Sequence, residues 1–326
     1  MTMHVTQCLL QASDEPREIS DYQVGVTRWC DGCGDNAILT AMQRLCRDNN
    51  LAPERTVFVS GIGCSSRLPH YMNTYGFHGL HGRALPIAEG VKMSRPDLSV
   101  FVSTGDGDCL SIGAAHWIHA IRYNMDLTVL LHDNRIYGLT KKQASPTSPL
   151  GTRTNTTPKG SYLEPLNPLS VTLGVANVSF VAQVVDWIPE LLYDVIAAAY
   201  RHTGLSFIRV LQRCPEFMPG LFDPWIRDPQ RMLLLRHPQG VTPSAELSRT
   251  YRNQIEHDPR DLDAARRVAT SEDPIPVGIL YWDPDVPRYE DTRHARALRT
   301  PDQVRRGLNL ELDKFTIWPG DPGTSA

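Results

Sequence analysis

The sequence predicts an α/β fold: a doubly wound, mainly parallel sheet followed by a C-terminal extension. Three observations predict it. Five short apolar runs stand along the chain: TVFVS (56–60), LSVFVS (98–103), LTVLLH (127–132), VSFVAQVV (178–185) and SFIRVL (206–211). Segments with helical spacing separate them, among them IGAAHWIHAIRYN (112–124) and WIPELLYDVIAAAYRHT (187–203). The runs are apolar throughout rather than alternating, as in strands covered on both faces, and strands alternating with helices build a parallel sheet.

Composition sets the bounds. The chain has 326 residues, 41% hydrophobic and 21% charged, enough for one large α/β domain plus an extension. A formal net charge of -3 gives no general attraction for nucleic acid. The start, MTMHVTQCLLQASDEPREIS, has no basic stretch followed by an apolar run. No segment approaches the roughly 18 apolar residues of a membrane span. A cytoplasmic protein that does not bind membranes is expected. In such a chain the seven cysteines are reduced, buried or metal-bound rather than paired.

Residues 1–27 read as a polar arm and 28–235 as the main domain. In that domain DNAILTAMQRLCRDN places Ile38, Leu39, Met42, Leu45 and Cys46 at helical spacing, with Asp35 or Asn36 as the cap. Right-handed crossovers put every loop that follows a strand along one edge of the sheet, where ligands bind. Cys64 follows the first run, Gly105-Asp106-Gly107-Asp108 the second, Asp133-Asn134 the third and Cys214 the fifth. The stretch KKQASPTSPLGTRTNTTPKG (141–160) follows the third run and reads as an active-site loop rather than a linker. The pattern loosens after Pro219. Residues 236–326 carry scattered charges, prolines and one apolar run, GILYW (278–282), and read as an extension packing on this domain or on a partner. The tail DPGTSA is expected to be disordered.

The segment Gly105-Asp106-Gly107-Asp108 taken alone reads equally as a surface turn, a calcium loop or a metal-bound diphosphate site, and Asn134 at the end of the next run favours the diphosphate. Mg²⁺ wants oxygen ligands and shares them with phosphate. Asp106 and Asn134 offer such oxygens from two strand ends. Gly105 and Gly107 allow tight turns and close approach, and the helix that follows favours an anion at its N-terminus. Trp29-Cys30-Asp31-Gly32-Cys33-Gly34 is a second motif, with three readings: a redox-active pair, part of a zinc site, or part of an iron–sulfur site. Four thiolates are needed for a cluster, and Cys64 and Cys214 lie on the ligand edge. Cys46 and Cys109 read as core residues and Cys8 as part of the arm.

GDGDCLSIGAAHWIHAIRYNMDLTVLLHDNRIYGLTKKQASPTSP resembles the thiamine-diphosphate motif of the beta subunits of 2-oxoacid:ferredoxin oxidoreductases. The similarity runs from about Trp29 to Cys214. It implies a sheet of the thiamine-diphosphate-binding type. It implies Asp106, Asn134 and the carbonyl of Ile136 as Mg²⁺ ligands, and Gly105, Gly107, Asp108, Tyr137 and Gly138 as further cofactor contacts. It implies Cys30, Cys33, Cys64 and Cys214 as ligands of one [4Fe–4S] cluster, through which electrons pass singly to an external ferredoxin. It also implies an alpha subunit that supplies a pyrimidine-binding domain and an activating glutamate, because this chain has strands for one such domain.

Gly76-Phe77-His78-Gly79-Leu80-His81-Gly82-Arg83 has the composition of a cramped polar pocket, and the similarity sets His78, His81 and Arg83 near the cofactor as catalytic candidates. Arg67 and Lys141 are candidates for the substrate carboxylates, with Leu139 shaping the pocket. Two basic groups suit a dicarboxylate, and IYGLTKKQASPTSP looks most like the 2-oxoglutarate members. The expected reaction joins the oxoacid to coenzyme A and releases CO2. The alternatives are a non-redox thiamine-diphosphate decarboxylase subunit and a non-catalytic zinc-binding assembly subunit.

Overall fold

The computed structural model describes residues 16–237, 241–293 and 301–313. The arm's first 15 residues and the tail DPGTSA lie outside them. The elements from the start of the domain are α1 (Asp35–Asp48), β1 (Thr56–Ser60), β2 (Tyr75–His78), α2 (Ala84–Ser94), β3 (Ser99–Gly105), α3 (Ala114–Tyr123), β4 (Leu127–Asp133), α4 (Pro168–Leu173), β5 (Phe180–Val185), α5 (Pro189–Arg201) and β6 (Leu205–Leu211). Then come α6 (Asp223–Arg227), β7 (Met232–Arg236), α7 (Ala245–Thr250), β8 (Gln254–Glu256), α8 (Leu262–Ala269) and β9 (Ile275–Trp282). Residues from Tyr289 onward form a separate unit with α9 (Tyr289–Arg293) and α10 (Pro301–Asp313). No helix among the described residues is long and apolar enough to cross a membrane.

One nine-stranded sheet runs β2-β1-β3-β4-β6-β5-β9-β7-β8. The six strands from β2 to β5 are parallel. Strands β1, β4, β5 and β6 are buried along their whole length, which is why they read as unbroken apolar runs. The sheet does not stop at the boundary expected near residue 235. Strand β9, of which GILYW is the end, pairs antiparallel with β5, and β7 and β8 extend the sheet beyond it. One strand in six of the parallel set was not legible: β2 is an exposed edge strand containing Gly76, with no apolar run to announce it.

Helix α1 buries Ile38, Leu39, Met42, Leu45 and Cys46 against α5. Its N-terminus differs from the expected cap. Asp35 turns inward, fully buried, and Asn36 receives a hydrogen bond from Thr27 Oγ1 (3.0 Å). Gly34 makes this possible: a Cβ there would lie 2.6 Å from the Asp186 carboxyl and 2.9 Å from Gln212, so only glycine lets the cysteine turn dock onto the ends of β5 and β6.

At the opposite edge of the sheet, α3 ends on Asn124 in the left-handed region (φ 50°), whose Oδ1 accepts from Leu205 N and Ser179 Oγ. Buried His202 packs there against Phe180 and shares a hydrogen bond with Ser179 Oγ. Burial lowers its pKa from 6.5 to about 4. The unfolded chain therefore takes up this proton first. Stability is unaffected above pH 6.5 and falls as pH drops from 6.5 towards 4, by about 3 kcal/mol in all. Melting curves of wild type and His202→Gln between pH 7 and 5 check this: the wild type should lose stability faster, and equal slopes would contradict it.

Candidate active site

The chain runs from β1 to β2 on one side and crosses to β3 on the other, so the loops after β1 and β3 diverge and leave a crevice at the C-terminal ends of the strands. An open cavity, about 510 Å³ including its solvent-filled mouth, occupies it. Its walls come from the loops after β1 (Ile62, Cys64, Ser65), after β3 (Gly105 to Asp108) and after β4 (Asn134, Ile136 to Thr140), with His81 and His132. Eleven of the expected site residues meet there: Cys64, His81, Gly105, Asp106, Gly107, Asp108, Asn134, Ile136, Tyr137, Gly138 and Leu139.

Asp106 is buried. Its Oδ2 accepts from Ser145 Oγ and lies 2.7 Å from Thr147 Oγ1. Thr147 Oγ1 is also 2.7 Å from Asp133 Oδ1, so one hydroxyl proton stands between two carboxylates. Arg209 takes up the charge of Asp133 through Nε at 2.7 Å and a second contact at 2.5 Å. Burial pushes Asp133 up, but the Arg209 and Arg135 guanidiniums outweigh it and hold its carboxyl below the ordinary range. Among the described residues no cation touches Asp106. Burial and the charge of Asp133 push it up from 3.8 to about 7. A divalent cation in the cavity would reverse that shift.

Asn134 Oδ1 accepts from Ile136 N (3.0 Å), closing a turn around Arg135, which sits at φ 60°. Gly107 is a cradle position: a Cβ there would lie 2.1 Å from the Tyr137 ring, and Tyr137 donates its hydroxyl to Gly107 O (3.0 Å). Asp108 spends both oxygens on the protein. It accepts from Ile62 N (3.1 Å), Gly82 N (2.7 Å), Thr104 Oγ1 (2.7 Å) and His81 Nδ1 (2.5 Å). It therefore pins three loops together. His81, held at Nδ1, keeps Nε2 without a protein partner among the described residues and meets Tyr137 edge-on.

His78, Arg83, Arg67 and Lys141 do not line the cavity. His78 lies on edge strand β2, with Nδ1 near Ser66 O (2.9 Å) and Ser60 Oγ (3.1 Å). Arg83 reaches the Gly82 and Ile112 carbonyls. Arg67 stands in the helical turn after Cys64, within electrostatic range of that thiol and of His70. Lys141 is in a left-handed turn (φ 70°) whose carbonyl accepts from Asn155 Nδ2.

The four expected cluster cysteines are unpaired thiols, and Cys30, the most accessible of them, is exposed. They lie within electrostatic range of one another: Cys33 feels Cys214 and Cys64, Cys64 feels Cys214 and Cys30, and Cys214 feels Cys30. Burial, reinforced by Asp35 and neighbouring thiols, pushes Cys64 up to about 12 and Cys33 higher still. Donors nevertheless point at the sulfurs. Gln212 Nε2 reaches Cys33 Sγ (3.3 Å), and backbone amides of Glu216, Phe217 and Met218 face Cys214.

Residues 61–210 match the family described as the thiamine pyrophosphate enzyme C-terminal TPP-binding domain, and 247–296 match the family of the C-terminal part of the pyruvate ferredoxin oxidoreductase beta subunit. The chain is 37% identical over 276 residues to 2-oxoacid:ferredoxin oxidoreductase 1, subunit beta, of Aeropyrum pernix, covering 84% of each. The chain belongs to the 2-oxoacid:ferredoxin oxidoreductase beta-subunit family. It is also 47% identical over 232 residues to the 2-oxoglutarate oxidoreductase subunit KorB of Mycobacterium tuberculosis, a match spanning 70% of this chain and 62% of that protein. A solved structure of the 2-oxoglutarate:ferredoxin oxidoreductase from Magnetococcus marinus, with 2-oxoglutarate, coenzyme A and succinyl-CoA bound, superimposes with TM-score 0.75 at 32% identity, covering 94% of this chain and 98% of that one.

The residues present fit what this beta-subunit family implies. A buried carboxylate with no cation in contact among the described residues, a glycine cradle at Gly107 and the Asn134 turn suit a Mg²⁺-bound diphosphate. Four convergent thiols with amide donors aimed at two of them suit an iron–sulfur cluster, whose iron would displace the thiol protons. Sequence reasoning missed a buried hydrogen-bonded chain that links the cysteine turn to the cavity wall. Asp35 Oδ1 is 2.7 Å from His132 Nδ1, and His132 Nε2 is 3.1 Å from Ser103 Oγ, which donates to Ser65 O (2.9 Å). It missed Ser145, Thr147 and Ser148 as well.

Proposed function

We propose that this beta subunit holds thiamine diphosphate, its Mg²⁺ and one [4Fe–4S] cluster, and oxidises 2-oxoglutarate. One observation carries the reading: Cys64 is a wall of the same cavity that Asp106 and Asn134 line. A Cβ on Gly138 would stand only 3.5 Å from Cys64 Sγ, so the Cys64 thiol and the cofactor cavity share one boundary.

Thiamine diphosphate, when bound, supplies the carbon–carbon bond cleavage of the oxoacid. Asp106, Asn134 and the Ile136 carbonyl hold the metal end. His81 presents Nε2 to the substrate carbonyl. Cys64 marks the side by which electrons leave, and exposed Cys30 the side that faces solvent and an acceptor. The balanced reaction is oxoacid carboxylate plus coenzyme A thiol plus two oxidised ferredoxins, giving acyl-coenzyme A, CO2, two reduced ferredoxins and one proton. 2-Oxoglutarate is the favoured oxoacid because it stands in the names of similar proteins.

The cavity region carries exposed apolar side chains: Leu80, Ile112, Leu139, Leu163 and Tyr162, the last 81% exposed. Tyr162 and Leu163 line a second pocket that shares Tyr137 with the cofactor cavity. Such a patch supports closure of the site by a partner protein. A non-redox decarboxylase would have no use for the Cys64 thiol on the cavity wall.

The test is a coupled assay of the chain co-expressed with its partner subunit. Viologen reduction should require both 2-oxoglutarate and coenzyme A and should match CO2 released two electrons to one. CO2 release without reduction would establish the decarboxylase instead.

A further inference from the structure

The turn Ser145-Pro146-Thr147-Ser148 has three buried hydroxyls, and each acts on the metal-binding edge. Ser145 Oγ donates to Asp106 Oδ2. Thr147 Oγ1 stands 2.7 Å from both Asp106 Oδ2 and Asp133 Oδ1. Ser148 Oγ donates to the carbonyl of Arg135 (2.6 Å), the residue between Asn134 and Ile136. The turn is closed on itself, Ser145 N donating to Ser148 Oγ (2.8 Å) and Ser148 N to Ser145 O (3.1 Å). Behind it, Arg209 holds Asp133, and Arg209 Nη1 donates to Gln183 Oε1 (3.1 Å) on the neighbouring strand. A continuous chain thus runs Gln183–Arg209–Asp133–Thr147–Asp106, from the interior of the sheet to the cavity.

We infer that this turn sets the geometry of the metal site and that Thr147 is its positioning residue. Two carboxylates buried side by side repel each other unless a donor stands between them. Thr147 is the hydroxyl between them, with one proton to give to either carboxylate. It fixes Asp106 by Oδ2, and Oδ1 has no side-chain partner among the described residues. Asp133, neutralised by Arg209, is the fixed post against which Thr147 is braced. Ser148 ties the Asn134 turn to the same element, so both metal-binding segments move together or not at all. Partners of this kind orient metal ligands, and their removal typically weakens metal binding by about 10–100-fold.

The inference rests on the reading that this cavity takes Mg²⁺ and thiamine diphosphate. The test uses the enzyme co-purified with its partner subunit and stripped with chelator. Mg²⁺ is titrated at fixed thiamine diphosphate by calorimetry, and iron and sulfide are measured alongside. Thr147→Val keeps the shape and removes the hydroxyl. Its Mg²⁺ dissociation constant should rise about 10–100-fold, with iron and sulfide unchanged and the oxoacid KM unchanged at saturating Mg²⁺. Thr147→Ser should restore wild-type affinity. Wild-type affinity in Thr147→Val would overturn the inference. If that variant does not fold, Ser145→Ala takes its place: a smaller rise in the same constant supports the inference, and none overturns it. A wild-type enzyme that binds no thiamine diphosphate would instead remove the reading beneath it.

Discussion

Asp106→Ala should abolish thiamine-diphosphate-dependent turnover while leaving iron and sulfide at wild-type levels. The expected loss exceeds the roughly 100-fold typical of removing a residue that merely orients a metal ligand, because Asp106 is proposed to be a ligand itself. Folding should survive the change. Asp106 is a buried carboxyl that no cation touches among the described residues, pushed up to about 7, so removing it relieves an unfavourable charge. Thr147 keeps Asp133 as an acceptor. Turnover assay, iron analysis and a thermal melt on one preparation decide it. Normal turnover would remove Asp106 from the metal site.

Cys214→Ala should do the reverse. The cluster should be lost or damaged, electron delivery to ferredoxin should fall to background, and thiamine diphosphate should still bind. Cys214 follows β6 and has three backbone amides facing its sulfur, an environment made for a thiolate that carries charge to metal. Its thiol is pushed up by burial, so without iron it stays protonated, and alanine costs the apo chain little. Absorbance and EPR of the purified variant report the result. An intact cluster spectrum would strike Cys214 from the ligand set.

These two effects are separable because the proposed metal ligands and the cysteines come from different segments gathered at one edge of the sheet. That much was legible in the sequence. Strands β1, β3, β4, β5 and β6 are buried runs, and parallel order placed their C-terminal ends together. The rest was hidden for physical reasons. Strand β2 is exposed and short, so its pairing with β1 comes from tertiary contact rather than pattern. MLLLR of β7 sits in a loosened stretch and joins the sheet only through β9, which comes 39 residues after β7 ends, from Arg236 to Ile275. SPTS has loop composition, and nothing in it says that its hydroxyls face a carboxylate. Arg209 did leave a signal. It is a cation inside the apolar run SFIRVL, and a charge in a buried strand requires a partner. In the register of β4 and β6 it pairs with Leu131, and Asp133 lies two residues further along β4, on the same face. His132 ended its run as one more strand residue, and its bond to Asp35 spans 97 positions.

The most direct measurement is iron and sulfide analysis of the anaerobically purified complex with its partner subunit, followed by EPR before and after adding 2-oxoglutarate and coenzyme A. The account predicts about four irons per pair of subunits and a reduced-cluster signal that appears only when both substrates are present. Zinc in place of iron, or an intact cluster that no 2-oxoacid reduces, would contradict it.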